Sequence, residues 1–453
     1  MHPTDDYSSS ARPADGSGPG ARPGPPAGLI DSPEHPAGLI DSPEHHARLA
    51  QETRRLLEFG RAARLPEGGF GWLDTSGAPT PGRPRLLYVT CRMTHAYALG
   101  ELLGIAGATE HVDHGLRALD EVFRDPAHSG WFTAVGPDGA TDARKWSYPH
   151  AFVVLAAASA ATAGRPGAHE LLDEALQVMD EHFWDEDAGM VLEQWDAGFE
   201  VLDDERGANA NMHAVEAFLA AWAATGRDVW LDRSVRICER IARAAVQHDW
   251  RLPEHYDAQW RPDLDRFRDR PRDPFKPFGA TPGHGFEWAR LLLQLGTGLE
   301  SAGRAVPSGL IPAAEQLADA AVRDGWGVDG APGMVYTVDW DGSPVIRNRL
   351  HWVLCEALGA ATLLWQVTRQ ERHARRYATW WAYAEQYLVD PVGGSWHHEL
   401  DEDNAPSGTI RDGKADVYHA LQATLFPRLR PAAAVAPAVR ELGPLSRSRL
   451  SRS

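Results

Sequence analysis

Six segments of this chain repeat one pattern, a histidine followed directly by a helical run that is apolar on most sides. They are THAYALGELL (His95), PHAFVVLAAA (His150), MHAVEAFLAAW (His213), GHGFEWARLLL (His284), LHWVLCEALGAA (His351) and YHALQATLF (His419), separated by 55, 63, 71, 67 and 68 residues. A period of that length marks a repeated supersecondary unit, and it constrains the fold more tightly than any single motif does. Between these segments lie amphipathic helices with charged outer faces, among them HARLAQETRRLLEFG, ELLDEALQVMDEHF, RSVRICERIARAAVQ, AAEQLADAAV and ERHARRYATWWAYAEQYL.

A third element recurs with them. GWLDTSGAP, GWFTAVGPDGA, GMVLEQWDAGF, GMVYTVDWDGSP, GSWHHELDEDNAP and the looser RLPEHYDAQWRP combine β-type residues with tight-turn signals. Helices apolar most of the way round must be enclosed, and amphipathic ones can coat them. Six such pairs predict an all-α fold, an (α/α)6 barrel with short β-hairpin loops at one rim. The starts of all six inner helices then gather at that rim. An open α-solenoid is the competing layout, but it needs polar end caps and gives no reason for every repeat to open on histidine.

The barrel is expected over residues 46–430. Residues 1–45 are rich in Pro, Gly, Ser and Ala and carry the decapeptide PAGLIDSPEH twice, at 26–35 and 36–45, which predicts a disordered extension. Residues 431–453 are read as a disordered tail on the same compositional ground. The chain has 453 residues and is 43% hydrophobic, enough for a sizeable core. Its formal net charge of -18 disfavours nucleic acid and leaves a small molecule as the better partner. No run of eighteen apolar residues predicts a membrane span. The N-terminus lacks a basic region followed by an apolar one, and three cysteines (Cys91, Cys238, Cys355) cannot all pair within one chain, so a reducing cytoplasm is expected. Oligomeric state stays open between monomer and homo-oligomer.

The expected rim collects His95, His150, His213, His284, His351 and His419 with Glu216, Glu287, Glu356 and Arg92. Helix N-termini favour anionic oxygens and tend to keep an adjacent imidazole neutral, an environment suited to moving protons. Any one of these histidines is more often a hydrogen-bonded structural residue, and Glu356 and Glu216 have an ordinary reading as helix-interior partners for arginine. Six histidines in register carry more weight than one. Glu287 stands one turn after His284 on the same helix face. No metal site is expected, since no HExxH or paired-cysteine spacing occurs, and no cofactor is expected, since P-loop and Rossmann fingerprints are absent. Tryptophans near the rim motifs, such as Trp72, Trp146, Trp288 and Trp352, offer the flat apolar faces a sugar ring needs.

The runs RGANANMHAVEAFLAAW (206–222), TPGHGFEWARLL (281–292), HWVLCEALGAA (351–361) and WHHELDEDNAPSG with GKADVYHALQATLFP (396–427), preceded by VTCRMTHAYALG, resemble the N-acylglucosamine 2-epimerase superfamily. Within it the likeness is to the aldose-ketose isomerase branch, and it covers most of 46–430. The resemblance implies an (α/α)6 barrel without a catalytic metal, His284 and His419 as an acid–base pair assisted by Glu287, and a pocket lined by Arg92, Tyr148, Asn209, His213, Trp352 and Glu356. It implies a monosaccharide substrate, with D-mannose and D-fructose expected to interconvert through a cis-enediol.

Other activities stay in view. A 2-epimerase removes the same C2 proton. A sulfoquinovose isomerase would want a further polar donor where this chain has Ala415. A glycosidase could use Glu287 and Glu356 but would leave the histidines without a role. A carbohydrate- or protein-binding module is the non-enzyme alternative.

Overall fold

Helices with no polar side have to be surrounded, and the alternation of apolar and amphipathic segments is what sorts this chain into two concentric rings. The computed structural model describes residues 37–445; the expected extension at 1–36 and the end of the expected tail, 446–453, lie outside the described residues. In chain order the helices are α1 (Pro43–Gly60), α2 (Leu87–Leu102), α3 (Ala108–Glu121), α4 (Ser147–Thr162), α5 (Ala168–Val178), α6 (Ala208–Thr225), α7 (Asp228–Gln247), α8 (Pro282–Ser301), α9 (Leu310–Gly325), α10 (His351–Thr368), α11 (Glu371–Tyr383), α12 (Tyr418–Leu425) and α13 (Val435–Leu442).

The even-numbered helices from α2 to α12 form the inner ring, each packed on the next, with α12 returning to α2. In α4, SYPHAFVVLAAASAAT, every residue from Ser147 to Ala161 is buried, and its run of alanines permits close approach to both neighbours. Each odd-numbered helix from α3 to α11 packs on the inner helix before it, while α1 packs on α12, so the first α-helix of the described residues closes the outer ring. The outer helices bury one stripe only. α7, for example, buries Trp230, Leu231, Ser234, Ile237, Cys238, Ile241 and Ala245, the spacing of one helical face. The all-α (α/α)6 barrel expected from the repeat is the observed fold.

The hairpins do more than connect helices. The two residues before each inner helix pair with the hairpin of the following repeat: Arg85 with Val135, Lys145 with Trp195, Arg206 with Tyr256, and Arg349 with Leu400, while Ala280 bridges Val338. The sixth link closes the circle, with the Lys414 N–H donating to the Leu73 carbonyl at 2.8 Å. This ring of short ladders fixes the inner helix starts at a common height.

Both expected boundaries shift. The barrel begins before residue 46, because the second copy of the decapeptide is part of the fold: Ile40 is buried, Ser42 caps α1 by accepting from the His45 N–H at 3.3 Å, and Pro43 opens the helix. The segment after residue 430, expected to be disordered, is ordered through residue 445. α13 packs on α2, α4 and α6 and buries Val435, Ala436, Ala438 and Val439 at the end of the barrel away from the hairpins. The Ala- and Pro-rich composition that suggests disorder hides one short apolar helix face. Among the described residues no helix is long and apolar enough to cross a membrane.

Candidate active site

The histidines of the repeat do not all reach the rim. α2 begins at Leu87, so His95 lies two turns inside the helix, where its Nδ1 pairs with Ser159 Oγ at 2.7 Å. His150 donates from Nδ1 to the Trp146 carbonyl at 2.6 Å and accepts the Trp131 N–H on Nε2 at 3.2 Å, so it pins a hairpin to its helix. The bland reading holds for these two. His213, His284, His351 and His419 line one cavity of about 660 Å³, counted with its open mouth, and in α2 and α4 it is Arg92 and Tyr148 that reach it. Asn209, Glu287 and Trp352 complete the residues expected there. Glu356 departs from its expected place as a substrate-binding residue: it is not on the cavity wall but stands behind it, 1% exposed.

Two imidazoles share one construction. His419 donates from Nδ1 to Glu356 Oε1 at 2.9 Å, and His284 donates from Nδ1 to Glu254 Oε2 at 2.8 Å. A carboxylate accepts only, so each ring is held in the tautomer whose Nε2 keeps a free lone pair. Neither Nε2 has a protein partner among the described residues. The indole of Trp352 lies between the two rings, 5.1 Å from the His284 centroid and 5.9 Å from that of His419, at interplanar angles of 37° and 38°. Its position depends on Gly283, where a Cβ would come within 2.5 Å of the indole.

Behind the wall runs a buried charge network centred on Arg290, which is 0% exposed. Its guanidinium donates to Glu356 Oε2 at 2.7 Å, to Glu287 Oε1 at 3.1 Å and to Gln294 at 2.7 Å, with Glu216 at 3.9 Å. Glu216 also accepts from the Tyr418 hydroxyl. Three buried carboxyls around one guanidinium cannot all stay ionised cheaply. Burial and then the neighbouring Glu356 push the Glu287 carboxyl well above the usual carboxylate range, and burial raises Glu356 as well, so the pair favours holding a proton. Burial, and then Arg92 and His351, hold His419 well below the ordinary histidine value. Burial lowers His213 and His351 to about 4, so they too are neutral donors or acceptors at neutral pH.

Several residues of the site escape sequence reasoning. Glu254 comes from the loosest hairpin copy and also accepts the Thr281 N–H at 3.2 Å, tying that hairpin to the first turn of α8. Asp416 faces Arg92 at 3.4 Å. His398 stacks on His351, with ring centroids 3.9 Å apart. Tyr336, Pro274, Phe275, Arg411 and Ala415 also line the cavity. The pairing of Glu216 and Glu356 with an arginine was legible as the ordinary reading of both. As for metals, His213, Glu216 and Glu287 can bring three ligand atoms within 4.8 Å of one another, but Arg290 already sits against both carboxyls and opposes a cation there.

With this geometry, similarity to known proteins becomes decisive. The family model for N-acylglucosamine 2-epimerase (GlcNAc 2-epimerase) matches residues 68–423. The chain belongs to that family. It is 50% identical over 398 residues to a D-mannose isomerase of Thermobifida fusca, covering 87% of this chain and 97% of that protein. It is 46% identical over 393 residues to a D-mannose isomerase of Pseudomonas cannabina pv. alisalensis, covering 86% and 94%. Among solved structures, a crystal structure of D-mannose isomerase superposes with a TM-score of 0.79 at 27% identity, covering 85% of this chain and 98% of that one. The protein is accordingly a sugar isomerase or epimerase, an enzyme of the aldose-ketose isomerase kind.

Proposed function

We propose that this enzyme interconverts D-mannose and D-fructose by proton transfer between two histidines through a cis-enediol. The observation that carries the reading is the pair of imidazoles, each backed by its own glutamate and each presenting a free Nε2 beside the same indole. The names of the relatives at 50% and 46% identity supply the hexose.

The pyranose first opens as His284 takes the proton of O1 and delivers it to the ring oxygen. In the open chain, His419 Nε2 removes the proton from C2, and the C–H electrons form the C1–C2 double bond while the aldehyde oxygen takes up the charge. His284 carries the O2 proton to O1, so the charge of the cis-enediolate passes from O1 to O2, and the C2 carbonyl forms as C1 is protonated. His419 returns its proton to C1. With the pair's proton on Glu287, that carboxyl and the Arg92 guanidinium donate to the oxygens where charge develops, in a cavity whose other rings are neutral. A neutral imidazole fits the His419 role because it must start without a proton and release one later.

The test is proton NMR of D-mannose with the enzyme in D₂O and EDTA. D-fructose is the expected product, with deuterium at C1 in proportion to how far the proton held by His419 exchanges with solvent before its return. D-glucose formed without D-fructose would make the enzyme a 2-epimerase, and no conversion of D-mannose would end the reading.

A further inference from the structure

The rim of the cavity is roofed in part by residues 263–281, a segment without helix or strand that joins the fourth hairpin to α8 and is bridged to another repeat through Ala280. It is fastened along its length to other repeats: Arg268 to Asp339 at 3.0 Å, Arg272 to Thr409 Oγ1 at 2.9 Å, and Lys276 to Glu205 and to Glu193, the latter at 3.5 Å. Its tip, Pro274 and Phe275, lines the cavity. Phe275 stands edge-on to Tyr88 and Tyr148, at 5.6 and 6.0 Å between centroids.

Arg411, from the loop before α12, also reaches this tip. Arg411 donates from Nη2 to the Pro274 carbonyl at 2.9 Å, and its guanidinium carbon lies 4.4 Å from the Phe275 ring centroid. Among the described residues it has no carboxylate partner, unlike Arg92 and Arg290. Yet it is firmly placed, because the N–H groups of Thr409, Ile410 and Arg411 converge on the Glu399 carboxylate at 3.0, 2.8 and 2.7 Å, and Glu399 is 1% exposed. His284 and His419 are buried, whereas Pro274, Phe275 and Arg411 on the same cavity wall are partly exposed, which puts the clasp at the outer part of that wall.

We propose that Arg411 is a specificity-determining residue that limits the site to a single sugar ring, by clasping Pro274 and Phe275 across the outlet through which the second ring of a 4-linked reducing disaccharide would have to leave. The inference rests on the sugar-isomerase reading and adds what that reading lacks, a physical reason for monosaccharide selection. A planar guanidinium can bond the carbonyl and stack on the ring at once, which a lysine cannot. Phe275 supplies the bulk, and Arg411 holds it in place.

The experiment compares kcat/KM for D-mannose and β-1,4-mannobiose, and for D-glucose and cellobiose, in the wild type and in Arg411→Ala, Arg411→Lys and Phe275→Ala. Chain folding is followed by thermal melting. The wild type is expected to favour the monosaccharide by at least ~100-fold, and Arg411→Ala and Phe275→Ala to raise the disaccharide-to-monosaccharide ratio at least ~10-fold, the range that pocket contacts confer. Arg411→Lys should recover only part of the wild-type ratio. An unchanged ratio in the folded variants overturns the proposal, as does a wild type that already accepts the disaccharide. Phe275→Ala keeps the test available should Arg411→Ala fail to fold. Inactivity of the wild type on D-mannose would instead count against the mannose reading, and the glucose and cellobiose pair would still report on the clasp.

Discussion

His419 gives its Nδ1 proton to Glu356 Oε1 at 2.9 Å, while Arg290 holds the other oxygen of the same carboxylate at 2.7 Å. The imidazole is thereby fixed in orientation and tautomer by a group that stands behind the cavity wall. Its Nε2 is the atom left to act. In the proposed mechanism, replacing His419 with Ala removes the carbon base, and replacing His284 with Ala removes the oxygen shuttle. Each should lower turnover by ~10²- to 10⁴-fold, the usual contribution of one acid–base group, in a chain that still folds although its melting temperature falls with the loss of the donor to a buried carboxylate. Ketose formation at saturating D-mannose measures it. Turnover within a few-fold of wild type would take that histidine out of the mechanism.

Glu254 stands to His284 as Glu356 stands to His419, at 2.8 Å on Nδ1. Glu254→Gln keeps the shape but lets the amide nitrogen face the ring, which favours the wrong tautomer. A loss of ~10²-fold or more in kcat with little change in KM is expected, by analogy with the carboxylate that orients a triad histidine. A change in KM alone would show that Glu254 binds sugar and does not orient the base.

The acid limb of the kcat/KM profile follows from the burial of His419. Burial, then the fields of Arg92 and His351, hold its pKa well below 6.5, so the base form persists as the pH falls through 6.5. The limb should therefore lie below pH 6.5. Removing a nearby positive charge makes the imidazolium easier to form, so Arg92→Met should shift the limb upward even as it reduces the rate. An unmoved limb in that variant would mean that another group sets it.

The fold was written in the sequence because its cause is periodic: six apolar helices, six amphipathic ones and six turns recur in order, and closure follows from the number. The residues facing the cavity were legible where they sit on those helices, as His284 and His419 do. What the pattern could not give was depth along the axis. His95 and Arg92 are on one helix three residues apart, and only the start of α2 at Leu87 decides that the arginine, not the histidine, reaches the cavity. Nor could it give partners contributed by loops. Glu254 and Arg411 lie in segments without periodicity, and their roles come from ladders and buried carboxylates that join distant repeats. The end of the barrel at α13 was hidden by a composition that resembles a tail, although its Val435, Ala436, Ala438 and Val439 form a single buried face.

Arg290 is the buried cation on which the carboxyls behind the site depend, and its removal tests how their protons are shared. Arg290→Met leaves Glu356 without its 2.7 Å partner in a place water does not reach, and breaking such a pair costs about 3–5 kcal/mol. The loss should appear as a lower urea midpoint. A second substitution can restore part of it by removing the stranded charge. Both carboxyls are raised by burial, Glu287 the further; if Glu287 is the one that holds the proton, then Glu287→Gln removes no charge and restores little, whereas Glu356→Gln removes the ionised partner and restores more. Equal recovery by the two double variants would mean that the negative charge is shared evenly, and Glu287 would lose its role as a hydrogen-bond donor to the sugar.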